Sequence, residues 1–216
     1  MRKASALLFM VLSLGLLTMC GGSGGDSAGV QSVTGSSDSG TGGSSSEGSS
    51  GGSGLLRVQL TDKPAEEYQA VYVTISAVRV HQSSSAGEQD GEWVELPVTA
   101  AMPVDLLTLR NGVLMELCQT QLAAGSYQQV RLVLTANSGS TEPYNQYLVT
   151  ADGEKHPLEV PSGTIKIVHG FSTAASQTTD LTLDFDASKS VVARGNGSYG
   201  LKPVIKATSS TSTTTS

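Results

Sequence analysis

From Leu55 to Ala207 apolar residues recur at every second position, in short runs separated by Gly, Asn, Asp and Ser, and no other feature constrains the fold as strongly. Leu56, Val58 and Leu60 alternate with Arg57, Gln59 and Thr61. Val71, Val73 and Ile75 alternate with Tyr72 and Thr74 before the phase shifts to Val78 and Val80. Successive side chains of an extended strand leave opposite faces of a sheet, so a period of two marks strands with one buried face. The phase shift at Ala77-Val78 predicts a bulge. Further strands are expected over 93–98, 104–109, 113–118, 127–135, 146–150, 155–160, 164–173, 180–185, 191–194 and 199–207. Asn111-Gly112, Asp152-Gly153 and Gly195-Asn196-Gly197 read as hairpin turns, because these residues tolerate positive φ. No stretch sustains a 3.6-residue period, which confines helix to a turn or two, near Ala65 to Tyr68. Short strands at this spacing predict an all-β fold, a single antiparallel β-sandwich.

What precedes the alternating region cannot join a core. Basic Arg2 and Lys3 lead into an apolar run, Ala4 to Leu17, and then Cys20. The run is shorter than the roughly 20 residues that span a bilayer, so residues 1–19 read as a secretory signal. Gly21 to Gly54 contains 25 Gly or Ser in 34 residues. Such a segment has too little apolar surface to offset the entropy of ordering it, and residues 20–54 read as a flexible tether with an r.m.s. span of roughly 30–35 Å. Residues 55–207 form one domain, and the Ser/Thr-rich residues 208–216 are expected to be a disordered tail.

Composition and spacing narrow the chemistry. The formal net charge is −6, and from Leu55 to Thr208 acidic residues outnumber basic ones by 16 to 11 with no Lys/Arg cluster. Nucleic acid is not an expected partner of the domain. Once Cys20 is used as an anchor, Cys118 is the only thiol left; it falls in an apolar run and reads as a buried small hydrophobe. Gly195-x-Gly197-x-x-Gly200 matches the dinucleotide fingerprint, but Leu201-Lys202-Pro203-Val204 cannot be the helix which that motif requires. The G-x-S-x-G matches in the tether lack the strand and helix of a hydrolase elbow. His81, His156 and His169 are far apart in sequence. The one pattern with ligand chemistry is Asp180 to Asp186, where the pleat sends Leu181, Leu183 and Phe185 to the core and Asp180, Thr182, Asp184 and Asp186 to the other face. Aligned carboxylates repel unless they are solvated, paired with lysine or bound to a cation. Lys166, Lys189 and Lys202 are the available partners; the alternative is a Ca²⁺ site of Asp184 and Asp186, with Asp62 or Asp105 drawn from neighbouring loops.

Leu17-Thr18-Met19-Cys20 resembles the lipobox of bacterial lipoproteins, with Met19 at the place where such motifs usually carry a small residue. The resemblance implies that Cys20 carries the lipid and becomes the mature N-terminus. Leu60-Thr61-Asp62 with Pro64, Val104-Asp105-Leu106-Leu107, Ala124-Gly125-Ser126-Tyr127 with Arg131, Pro161-Ser162-Gly163 with Lys166, Asp184-Phe185-Asp186-Ala187 with Ser190, and Leu201-Lys202-Pro203-Val204 occur in this order. In that order they resemble the bacterial and archaeal secreted proteins grouped as domain of unknown function 4382. The resemblance covers Leu55 to Ala207 and implies a lipoprotein-borne β-domain. Leu122 to Tyr127 is also similar to the strand start of carboxypeptidase regulatory-like and transthyretin-like sandwiches, which implies an Ig-like or transthyretin-like sandwich with Tyr127 packed inward.

These readings converge on a non-catalytic lipoprotein of the outer membrane or cell surface, a binding or structural module held to the membrane by its lipid. An envelope protein or a glycan is the candidate partner. The alternatives are an accessory subunit of an envelope assembly and a secreted enzyme, the latter requiring a pocket with convergent polar groups.

Overall fold

The structure, a computed structural model, describes residues 51–63, 66–99, 101–139 and 141–213. Its strands are β1 (Ser53–Asp62), β2 (Ala70–Val73), β3 (Ile75–His81), β4 (Val94–Pro97), β5 (Val104–Asp105), β6 (Met115–Ala123), β7 (Gly125–Leu134), β8 (Tyr147–Val149), β9 (Lys155–Glu159), β10 (Thr164–Thr173), β11 (Gln177–Phe185), β12 (Val191–Ala193), β13 (Tyr199–Leu201) and β14 (Ile205–Thr213). Helix among the described residues is limited to a 3-10 turn, Leu106–Leu109, and one α turn, α1 (Ala187–Ser190). No helix among them is long and apolar enough to cross a membrane.

The strands form three sheets. The first has the order β14-β11-β1-β6, the second β10-β7-β3-β4 and the third β12-β13-β9-β8-β2-β5. Alternation predicted the buried faces correctly: Leu56, Val58 and Leu60 of β1 and Leu181, Leu183 and Phe185 of β11 are all buried. Tyr127 packs inward as expected, stacked on Phe171 with its hydroxyl donating to the Ala123 carbonyl at 3.0 Å. Cys118 is buried, and desolvation pushes its thiol up to about 11, so it stays protonated and inert.

Several expectations are corrected. The first and third sheets are mixed rather than antiparallel: β1 pairs with β11 in parallel, Leu55 beside Thr178 through Asp62 beside Phe185, and β13 pairs with β9 in parallel, while the second sheet is antiparallel throughout. A half-buried strand has the same pattern in either direction, and the long excursion from Asp62 to Gln177 supplies the crossover that a parallel pair needs. The phase shift falls slightly earlier than expected, where Val73 ends β2 in the third sheet and Ile75 starts β3 in the second, with the β3–β7 register shifting between Ile75 and Ala77. The expected strand over 104–109 stops at Asp105, whose side chain caps the 3-10 turn. Asn111 and Gly112 do adopt positive φ, 61° and 81°, but their turn leads from that 3-10 turn into β6 rather than joining two strands. The tail expected to be disordered continues β14 to Thr213, paired with β11 from Ile205 beside Phe185 to Thr213 beside Gln177. The tether boundary also moves, since Ser53 and Gly54 are already in β1 and pair with Ala123 and Leu122 of β6.

Candidate functional site

The acidic residues singled out by pattern are separated by the fold into two places. Asp62 continues the core-facing series of Leu56, Val58 and Leu60 and is only 4% exposed. Thr61 lies opposite Asp184, so Asp184 projects from the other face of the same parallel pair. Asp186, 3% exposed, follows β11 and caps α1. Its Oδ1 accepts from Lys189 N at 3.2 Å and Ser188 Oγ at 2.8 Å, and its Oδ2 from Lys189 Nζ at 2.9 Å. Lys63 Nζ sits 3.8 Å from both Asp184 Oδ2 and Asp186 Oδ2. The carboxylates are thus met by two ammonium groups, one of them the Lys189 foreseen as a partner, while Lys63 was missed. Asp180 is paired with Arg57 at 3.2 Å. Asp105 lies on the third sheet, where its Oδ1 accepts from Val71 N and Leu107 N, both at 3.1 Å. Among the described residues no group of three or more His, Cys, Asp or Glu is arranged to hold a metal ion. Cys20 lies outside the described residues.

Three of the sequence motifs meet at this corner. Asp62 Oδ1 accepts from Ala187 N at 3.0 Å. Asp186 N donates to Val204 O at 2.9 Å, Ser190 Oγ donates to Asp186 O at 2.6 Å, and Val204 N donates to Ser190 Oγ at 2.8 Å. Segments distant in sequence are thereby tied where β1, β11 and β14 come together. Desolvation of Asp62, opposed by the Ala187 and Lys63 amides and reinforced by repulsion from Asp186 and Asp184, raises its carboxyl to about 6. Asp62 Oδ2 is buried and has no hydrogen-bond partner among the described residues. Asp186 moves the other way, held below the ordinary carboxylate range by its bond from Lys189. Chemically the corner is a buried brace.

A second buried polar group carries another motif residue. Arg131 Nη2 and Gln129 Nε2 both donate to the Ala86 carbonyl, at 3.0 and 3.1 Å, and the Arg131 guanidinium lies 4.6 Å from the Trp93 ring centroid. His81 Nδ1 accepts from Ser83 N at 2.8 Å, so its Nε2 carries the proton donated to Gly91 O at 3.0 Å. These bonds clamp the 82–93 loop over β3 and β7.

The surface that alternation did not reveal surrounds the 135–146 loop. Asn137 closes this loop like a clasp: its Oδ1 accepts from Asn145 N at 2.6 Å and Gln146 N at 2.8 Å, and its Nδ2 donates to Gln146 O at 2.9 Å. Behind the loop lies a cavity of about 510 Å³, lined chiefly by Leu134, Ala136, Pro157, Leu158, Val160 and Pro161. Its one carboxylate, Glu159, is paired with Arg194. Beyond the loop Tyr72 and Tyr147 stack at 4.4 Å with an interplanar angle of 15°, Tyr144 lies 6.4 Å from Tyr147, and Lys155 Nζ stands 5.8 Å from the Tyr147 ring. The register Tyr72–Tyr147–Pro157 crosses three neighbouring strands of the third sheet. Tyrosines isolated in sequence gave no signal; only strand pairing brings them together.

A family model described as a domain of unknown function (DUF4382) matches residues 53–203. No curated protein and no solved structure matches the chain.

Proposed function

The chain belongs to the DUF4382 family, and on that premise we propose that it is a non-catalytic binding module of the cell envelope, held by lipid on Cys20 at the outer membrane or cell surface. The observation that carries this reading is the make-up of the surface around the 135–146 loop. A cavity of about 510 Å³ has the size of small-ligand sites, and its apolar and proline lining suits recognition of an uncharged group. The perturbed carboxylate, Asp62, lies at a different place, in a braced corner. Tyr72, Tyr144 and Tyr147 add rigid amphipathic rings beyond the loop, where Tyr144 and Tyr147 line a separate, smaller pocket of about 180 Å³, and such side chains anchor interfaces at low entropic cost. A glycan chain matches this chemistry, its apolar ring faces meeting the tyrosines and its hydroxyls reaching the Glu142–Lys155 ion pair that lines the pocket of Tyr144 and Tyr147. In the same reading the first two sheets are the layers of one sandwich, supported by the bond from Thr99 N, beyond β4, to Leu117 O of β6 at 3.1 Å.

The test is a glycan array probed with the full-length protein, followed by titration of the retained glycan. Tyr147→Ala is expected to weaken binding about tenfold, the loss of one aromatic anchor. Binding indifferent to both Tyr147→Ala and Tyr72→Ala would place the contact surface elsewhere. Turnover of the glycan would replace the module with an enzyme.

A further inference from the structure

Of the seven large apolar side chains exposed among the described residues, three flank β5 and the 3-10 turn: Met102 is 58% exposed, Val113 49% and Leu114 50%. Arg110 to Leu114 are exposed without interruption, and a Cβ on Gly112 would meet nothing within 4 Å, so the turn protrudes. Its base is fixed. Leu106, Leu107 and Leu109 are buried just before it, Thr61 Oγ1 donates to Leu109 O at 3.0 Å, and Val113 N closes the turn on Arg110 O at 3.3 Å. Turn tips are ordinarily polar, yet this one runs from Asn111 and Gly112 directly into Val113, Leu114 and Met115. Met115 in turn lines an apolar recess of about 190 Å³ together with Val98, Met102 and Val104. An exposed apolar group of this kind marks an interaction surface.

We propose that this turn is a membrane-contact tip that seats Met102, Val113 and Leu114 in the anionic lipid surface on which the domain is held, a role that rests on the lipid proposed at Cys20. Three features select a lipid surface as the occupant. The first is shape: a convex tip on a fixed base needs no matching pocket when its counterpart is fluid. The second is charge. Arg110 is exposed at the foot of the tip and forms no ion pair among the described residues, so its guanidinium is free to meet lipid phosphates while the apolar side chains pass below them. The third is the length of chain. Leu60 lies beside Met115 and Ser53 beside Ala123, which puts the tip at the end of the β1/β6 pair opposite to the tether, about 25 Å away at ~3.3 Å per residue. The Gly/Ser composition that follows Cys20 gives a span of roughly 30–35 Å, so lipid and tip can engage one surface together. A second contact gains most when the linker's span matches the separation, with an effective concentration on the order of millimolar. Insertion of three side chains, weak in isolation, becomes sufficient under that condition.

The test uses full-length protein carrying Cys20→Ser and Leu114→Cys, labelled at position 114 with the environment-sensitive NBD fluorophore; the remaining thiol, Cys118, is buried. Vesicles of equal parts phosphatidylglycerol and phosphatidylcholine are expected to raise the emission several-fold and to shift it to the blue. The same label placed by Asn196→Cys, in the turn between β12 and β13 at the opposite edge of the third sheet from β5, should not respond. Adding Met102→Asp and Val113→Asp, both at exposed positions, should cut the response at position 114 about tenfold without altering the melting of the domain. Arg110→Gln should weaken the response about fivefold on these vesicles and leave it unaltered on phosphatidylcholine alone. No emission change at position 114, an equal change at position 196, or a response indifferent to the two aspartates overturns the proposal. The label reads the tip in a protein that lacks the Cys20 thiol, so these outcomes are distinct from failure of the lipid anchor, which detergent partitioning of the wild type reports.

Discussion

Asp62 is a carboxyl group held where a carboxylate is disfavoured, and its cost depends on pH. Its folded-state value, about 6, lies above the ordinary 3.8, so the folded protein holds this proton more tightly than the unfolded chain. The resulting stability is fully present below about pH 4 and is lost as pH rises through about 6. By linkage the loss is about 3 kcal/mol. Asp186 works in the opposite sense: its bond from Lys189 stabilises the fold above the ordinary carboxylate range and is lost on acidification. Asp62→Asn keeps an oxygen for the Ala187 amide and removes the buried charge. The variant is therefore expected to gain on the wild type between pH 4 and pH 7, by up to the same ~3 kcal/mol, in urea unfolding at the two pH values. A stability difference between the two proteins that is constant with pH would show that Asp62 does not titrate in this window. Pattern could place Asp62 on the core face of β1, because it continues the Leu56, Val58, Leu60 series, but could not reveal that β11 and α1 would bury it.

At the scale of the element, the start of β1 is the place where composition misleads most. Gly and Ser at 51–54 continue the tether in every sequence measure, yet Gly52 O accepts from Ala124 N at 2.8 Å and Ser53 O from Ser176 N at 3.2 Å. A Cβ on Gly54 would lie 2.3 Å from the Ala174 carbonyl oxygen. Here glycine is required for close approach of two backbones, a use that leaves no trace in hydrophobic pattern. Gly54→Ala is expected to cost about 1–3 kcal/mol and to lower the melting temperature by several degrees. A protein beginning at Leu55 should likewise melt below one beginning at Gly51, since it loses these ladder bonds; coincident melting curves would mean that the strand start contributes nothing. The C-terminal strand repeats the lesson, because Ser and Thr from 208 to 213 have no apolar alternation and are held by β11 alone.

For the whole molecule, a lipid on Cys20 followed by the Gly/Ser tether would let the folded domain stand clear of a membrane by tens of ångströms. The expected outcome is that wild-type protein partitions into the detergent phase and Cys20→Ser into the aqueous phase. If both stay aqueous, the anchor is refuted and the binding surface would have to act from a freely secreted protein.

Sequence alone determined the all-β class, the buried faces of the long strands, the inertness of Cys118 and the membership of residues 53–203 in their family, because these depend on period, side-chain volume and residue order, which are local properties. Tertiary structure alone decided that β1 and β11 run in parallel, that Asp62, Ala187, Ser190 and Val204 meet in one corner, that lysines stand among the carboxylates, and that Tyr72 and Tyr147 stack. Each of these joins residues far apart in the chain, and strand alternation is blind to the direction, order and partner of the strands it marks.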